Sequence, residues 1–194
     1  MKSVARLILF GLFLSVVMLV CAQTLSSNEM KAVKKEVKKY EKEGWKTLPG
    51  TLSLQEQLIR SRKVQQEEDG EGCPKWHIGV ASSIRRFYDA ARMRAMTSAK
   101  AELTGMVTKC LTGKYVANSE NQQMPLDHAE SLAKAAIKIK AVSVGQRIGN
   151  PLVIFDAFRK LPNGNYEVTL SVAILVRDID NIADELFLTT RNNK

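Results

Sequence analysis

The chain has 194 residues, of which 45% are apolar, enough for one ordinary domain with a real core. Its formal charge is +9, from 29 lysines and arginines against 20 acidic residues, a balance that suits an anionic partner such as lipid headgroups or cell-wall polymer. No nucleic-acid motif accompanies that charge. No phosphate loop, dinucleotide fingerprint or metal-ligand spacing occurs either, so the sequence points to no nucleic acid, no cofactor and no metal.

Lys2 and Arg6 flank the start of an apolar run from Leu7 to Val20, broken by Gly11 and Ser15, and Val20-Cys21-Ala22 puts small residues just before Gln23. This pattern predicts a secretory signal peptide over residues 1–22, cut after Ala22. The run is shorter than the roughly 20 apolar residues a membrane span needs, so no transmembrane helix is expected in the mature chain. The competing reading is a lipoprotein lipidated on Cys21, which follows Met18-Leu19-Val20 as a lipobox cysteine would, although Val20 fits that site poorly. The expected location is therefore periplasmic or secreted, with a membrane anchor through Cys21 as the alternative. Cleavage leaves 172 residues and, without Lys2 and Arg6, lowers +9 to +7.

Ser26 and Glu29 form a capping-box pattern, and Met30, Val33, Val37 and Tyr40 then recur at helical spacing until Gly44. Lysines 31, 34, 35, 38, 39, 42 and 46 crowd this segment against glutamates 36, 41 and 43. They predict either a solvated face with Glu–Lys pairs or a basic face for an anionic surface, with Lys34, Lys35, Lys38 and Lys39 as its contact residues. Ser53 and Glu56 repeat the capping box ahead of Leu54, Leu58 and Ile59, and the Gln65–Gly70 stretch ends that second helix. The two helices predict an N-terminal extension, residues 23–72, before a core domain over residues 73–194.

Within that core, Lys75 to Ser82 reads as a strand whose apolar side is Trp76, Ile78 and Val80. A long helix is predicted from about Phe87 to about Leu111, with Ala91, Ala95, Ala99, Leu103, Met106 and Cys110 as its buried stripe. Small alanines allow such a helix to lie close against a sheet. Lys114 to Pro125 is polar and reads as a loop, and Asp127 with Glu130 as the cap of a helix carrying Leu132, Ala136 and Ile139 to Gly145 or Gly149. Two strands, 151–160 and 165–177, flank Asn163-Gly164, a strong hairpin signature. In the second, Tyr166, Val168, Leu170, Val172, Ile174 and Val176 share one face. A short helix over 179–188 closes the chain. The predicted fold is α+β: about three antiparallel strands with a C-terminal hairpin, one face under the helices 87–111 and 127–145.

Catalytic residues are scarce. His77 is mid-strand and His128 lies in the first turn of a helix. Gly79-Val80-Ala81-Ser82-Ser83 between strand and helix is not the G-x-S-x-G of a nucleophile elbow, and it reads as a helix entry capped by Ser82 or Ser83. Cys73 follows the loop Gly70-Glu71-Gly72, whereas Cys110 falls on an apolar helix face and reads as a buried thiol; an oxidising compartment permits a bond between them but no spacing requires it.

Trp76-His77-Ile78-Gly79-Val80-Ala81-Ser82-Ser83, running into the alanine-rich helix from Tyr88 to Leu103 and followed by a late hairpin, resembles the core of the LPP-type twenty-kilodalton envelope lipoproteins of bacteria. That family is related to accessory proteins of the flagellar outer-membrane region. Gly44-Trp45-Lys46 and Leu52-Ser53-Leu54-Gln55-Glu56-Gln57-Leu58 are similar to a pattern in secreted proteins of Gram-negative anaerobes. The resemblance spans roughly residues 44–176 and implies an envelope location and a small α+β domain; it brings no catalytic or cofactor residues. Together these readings predict a non-enzymatic, exported envelope protein that binds another envelope component: a protein, a cell-wall polymer or an anionic membrane surface. The alternative is a periplasmic or cell-surface hydrolase using Ser82 or His77.

Overall fold

A computed structural model describes residues 25–117 and 124–191. The predicted signal peptide with its expected cut after Ala22, Cys21, and the centre of the predicted 114–125 loop lie outside the described residues. The elements are α1 (Ser27–Lys42), α2 (Leu54–Gln66), β1 (Trp76–Arg85), α3 (Tyr88–Ala117), α4 (Leu126–Ile139), α5 (Ala141–Ile148), β2 (Leu152–Lys160), β3 (Tyr166–Leu175) and α6 (Val176–Arg191). The protein is α+β, with one antiparallel sheet in the order β1-β3-β2. The late hairpin sets β2 beside β3, and β1 pairs with the other edge of β3, from Trp76 opposite Leu175 to Arg85 opposite Tyr166.

Both N-terminal capping boxes form. Ser26 Oγ accepts from Glu29 N while Glu29 accepts from Ser26 N at 2.7 Å, and Ser53 and Glu56 repeat the exchange. The hairpin also forms, by a different turn from the two-residue type that Asn-Gly favours. Pro162 holds a negative φ and no non-glycine residue among those described has a positive one. The chain therefore makes a turn closed by Gly164 N donating to Leu161 O at 2.9 Å, with only Gly164 (φ +81°) in the left-handed region.

One face of the sheet carries Val168, Leu170, Val172 and Ile174 of β3, as the alternation predicts. Against them α3 lays Ala91, Ala95, Ala99, Leu103, Val107 and Leu111, all fully buried, with α4, α5 and α6 closing the core around it. The far end of that stripe differs from the expectation: Val107 and Leu111 are buried, while Met106 and Cys110 flank them half-exposed. The helix also continues to Ala117 through residues expected in a loop, because Thr112 is buried and the Tyr115 ring stacks edge-on against Phe187 of α6 at 5.1 Å.

The apolar side of β1 is not the side that meets α3. Gly79, Ala81 and Ser83 turn toward α3, and a Cβ on Gly79 would lie 2.3 Å from Ala99 O. Trp76 and Ile78 lie on the opposite face with Val64 of α2, and Val80 and Ile84 beyond them are exposed. Ser82 and Ser83 cap no helix; both pair in register within β1. Pro125, without a side-chain hydrogen bond, stands at the start of α4 where Asp127 and Glu130 were expected to cap, and Lys140 separates α4 from α5. The last helix is longer than expected and follows β3 directly, taking Val176 out of the strand.

The two N-terminal helices pack on the second face of the sheet. Val33, Trp45, Leu54 and Leu58 bury Phe155 and Ala157 of β2, and Val64 covers Ile154 and Ala173. Both sheet edges are guarded. Lys46 exchanges backbone hydrogen bonds with Phe158 on β2, and on β1 the Val80 N–H donates to the Glu102 carboxylate of α3 at 2.7 Å.

Candidate functional site

The hydroxyls and imidazoles singled out from the sequence do not come together. Ser82 is five positions after His77 on a regular strand, an odd step, so they point to opposite faces of the sheet. Ser82 Oγ shares a 2.7 Å hydrogen bond with Thr169 Oγ1 on the exposed face, whereas His77 lies half-buried on the α3 side. His128 is exposed on the first turn of α4. Among the described residues no group of three or more His, Cys, Asp and Glu could hold a metal ion, and no helix is long and apolar enough to cross a membrane.

Both cysteines are free thiols. Cys73 is exposed in a loop organised by Asp69, whose carboxylate accepts from Glu71 N and Cys73 N at 2.8 and 2.9 Å; these bonds hold the Asp69 carboxyl below its usual range. Cys110 is half-buried between α3 and α6 and donates to Asp180 Oδ1 at 3.0 Å. Burial first, then the Asp180 carboxylate, pushes its thiol up to about 11. The thiolate is the nucleophile, so Cys110 should be nearly inert at pH 8. Iodoacetamide on the native protein, read by peptide mass mapping, is expected to modify Cys73 and spare Cys110 until the chain is unfolded. Equal native rates at the two sites would contradict the packing of α3 against α6.

The most distinctive charge arrangement is on α1. Val33 is fully buried, with Val37 and Tyr40 packed beside it. Glu29, Glu36 and Glu43 are engaged in the fold, while Glu41 is exposed beside Lys34 and Lys38 and makes no ion pair among the described residues. Glu29 bonds Ser26 and Gln66, Glu36 pairs with Arg62 of α2 at 2.8 Å, and Glu43 meets Trp45 Nε1 at 3.3 Å and Arg159 at 3.7 Å. The hydrogen bonds from Gln66 and Ser26 hold the Glu29 carboxyl below its usual range. The lysines take the opposite face. Lys31, Lys34, Lys35, Lys38 and Lys42 are exposed and make no ion pair among the described residues. Their spacing of three and four keeps them on one stripe, about 16 Å long at the helical rise. Lys39 lies beside the stripe and reaches Glu43 only at 4.0 Å. That is the one Glu–Lys pair along the helix among the described residues.

A second feature has no counterpart in the sequence reading. A cleft of about 200 Å³ lies where α2, the 48–52 turn, α3 and the edge of β2 meet. Arg92 of α3 gives its Nε to Asp156 Oδ2 at 2.7 Å, and that bond raises the Arg92 guanidinium above its ordinary range. The Asp156 N–H donates to Gln57 Oε1 at 2.6 Å, so the strand edge is pinned to α2. Arg60 also lines the cleft and makes no ion pair or hydrogen bond among the described residues. A bulge in β2 between Val153 and Phe155 brings Ile154 out of register at its wall.

No family model matches the chain, and neither a curated protein nor a solved structure matches it. The functional reading therefore rests on the residues themselves.

Proposed function

We propose that this is an exported, non-enzymatic envelope protein that binds an anionic component of the envelope through the lysine face of α1. The observation that carries the reading is the segregation of charge on that helix. Glu29, Glu36 and Glu43 turn to Gln66, Arg62 and Arg159, so only Glu41 is left to offset Lys31, Lys34, Lys35, Lys38 and Lys42 on the outward side. A solvated helix gains nothing from concentrating like charges, which repel at these spacings. An anionic surface turns that repulsion into attraction.

Two features of the sequence support the setting. Residues 1–22 have the basic, apolar and small-residue regions of a signal peptide, and the strand-to-alanine-helix segment resembles envelope lipoproteins of the LPP type. Release by the cut after Ala22 and retention through a lipidated Cys21 both fit this setting, and the mass of the native N-terminus separates them.

Lysines near an anionic leaflet contribute about 1 kcal/mol each. Neutralising Lys34, Lys35, Lys38 and Lys39 with glutamine is therefore expected to abolish most co-sedimentation with anionic vesicles or purified cell wall. Binding by the unaltered protein should fall as salt rises, since screening shortens below about 8 Å above physiological ionic strength. The changes lie on the exposed side, so the unfolding midpoint should stay within about 0.5 kcal/mol. Salt-insensitive sedimentation, equal for the two proteins, would remove the basic face from the function.

A further inference from the structure

The cleft between α2, α3 and the edge of β2 lies apart from the lysine stripe and has a chemistry of its own. Two guanidiniums and one carboxylate line it. Asp156 is satisfied on one oxygen by Arg92 Nε at 2.7 Å. Arg92 spends its Nε on Asp156 with the Tyr88 hydroxyl also nearby, and Arg60 makes no hydrogen bond or ion pair among the described residues, so the two guanidiniums retain donors for another acceptor. Counting Arg60, Arg92 and Asp156, the site carries one net positive charge. That balance matches a monoanion; a dianion would set its second charge against Asp156. A guanidinium presents its donors in a fork that fits a carboxylate.

Apart from Thr51 and Gln57, whose side-chain amide oxygen is taken by the Asp156 N–H, the rest of the wall is aliphatic. Val153 and Ile154 come from β2, and Leu48 and Leu52, both more than a third exposed, stand over the cleft from the turn. Apolar side chains exposed beside unpaired arginines gain from an aliphatic ligand that covers them. Size narrows the class further. A cavity of roughly 150 Å³ accepts benzene, so about 200 Å³ suits a molecule of some six to eight heavy atoms.

We propose that this cleft binds a small monocarboxylate with a short aliphatic chain, its carboxylate between Arg60 and Arg92 and its chain against Leu48, Leu52 and Val153. The site is independent of the α1 face, and either can fail without the other.

Hexanoate is a suitable probe. Titrated into isotope-labelled protein, it is expected to give saturable shifts at the backbone amides of Val153 and Asp156 and at the side-chain N–H groups of Arg60 and Arg92. Hexylammonium should give none, and hexyl phosphate should bind more weakly than hexanoate. Arg60→Gln removes a charge-assisted donor from a half-exposed side chain and should weaken hexanoate by about tenfold or more. Lys63→Gln on the same helix should change nothing. Absence of saturable shifts, an equal response to hexylammonium, tighter binding of hexyl phosphate or leucine, or full affinity in Arg60→Gln would each overturn the assignment.

Discussion

Gly79→Ala is expected to destabilise the protein by about 3 kcal/mol, the upper end of what overpacking costs. The added Cβ would stand 2.3 Å from the carbonyl oxygen of Ala99, 3.1 Å from its carbon and 3.3 Å from Leu103 Cγ. The first two atoms belong to the backbone of a thirty-residue helix and cannot rotate away. Relief requires α3 to lift from β1, which opens the contact made by Ala91, Ala95 and Ala99. Gly105→Ala, in α3 itself, provides the contrast. Nothing lies within 4 Å of its added Cβ and its φ is not positive, so the helix should gain roughly 0.5–1 kcal/mol. Urea titrations of the two variants should therefore move the midpoint in opposite directions at unchanged slope. A stable Gly79→Ala protein would mean that the sheet and α3 are farther apart than described.

Gly79 also decides which face of β1 meets α3. Its hydrophobic side, Trp76, Ile78 and Val80, reads as the core-facing side by alternation alone. The face that meets α3 is instead selected for smallness, with Gly79, Ala81 and Ser83 opposite a row of alanines. Close approach of helix and sheet rewards the absence of side chains, which a hydrophobicity pattern cannot register. On α3 the same requirement was legible, because alanines at intervals of four are themselves a pattern. β3 was legible for a different reason: it is central and buried by long side chains, so alternation and burial agree.

The site divides in the same way. The lysine stripe of α1 follows from spacing within one helix. Whether Glu29, Glu36 and Glu43 would neutralise it could not be read locally, because Gln66, Arg62 and Arg159, which engage them, are 37, 26 and 116 residues away in sequence. The arginine cleft left no trace at all in the sequence. Arg60, Arg92 and Asp156 come from three elements brought together only by the packing of α2 and α3 at the β2 edge.

Phe155→Ala is expected to cost about 3–5 kcal/mol, and it asks how the N-terminal helices belong to the fold. Phe155 is 4% exposed and sits where β2 meets Val33, Trp45, Leu54 and Leu58, with the Tyr40 ring 5.4 Å away. Its removal leaves a cavity beneath α1 and α2 without touching the alanine contact on the other face. The polar ties across this layer, Glu36 to Arg62 and Gln57 to the Asp156 N–H, join helix to helix and helix to strand. They cannot replace the apolar area that Phe155 buries. If the two layers form one cooperative unit, helix circular dichroism and tryptophan fluorescence should report a single transition, displaced as a whole in the variant. The fluorescence is informative because Trp45 lies in the N-terminal layer and Trp76 at the start of β1. A variant in which the Trp45 environment melts early, while the sheet and α3 keep the original midpoint, would make α1 and α2 a separately unfolding layer. The lysine face would then ride on a part of the molecule that can detach from the sheet, and the affinity measured for anionic vesicles should rise or fall with the stability of that layer alone.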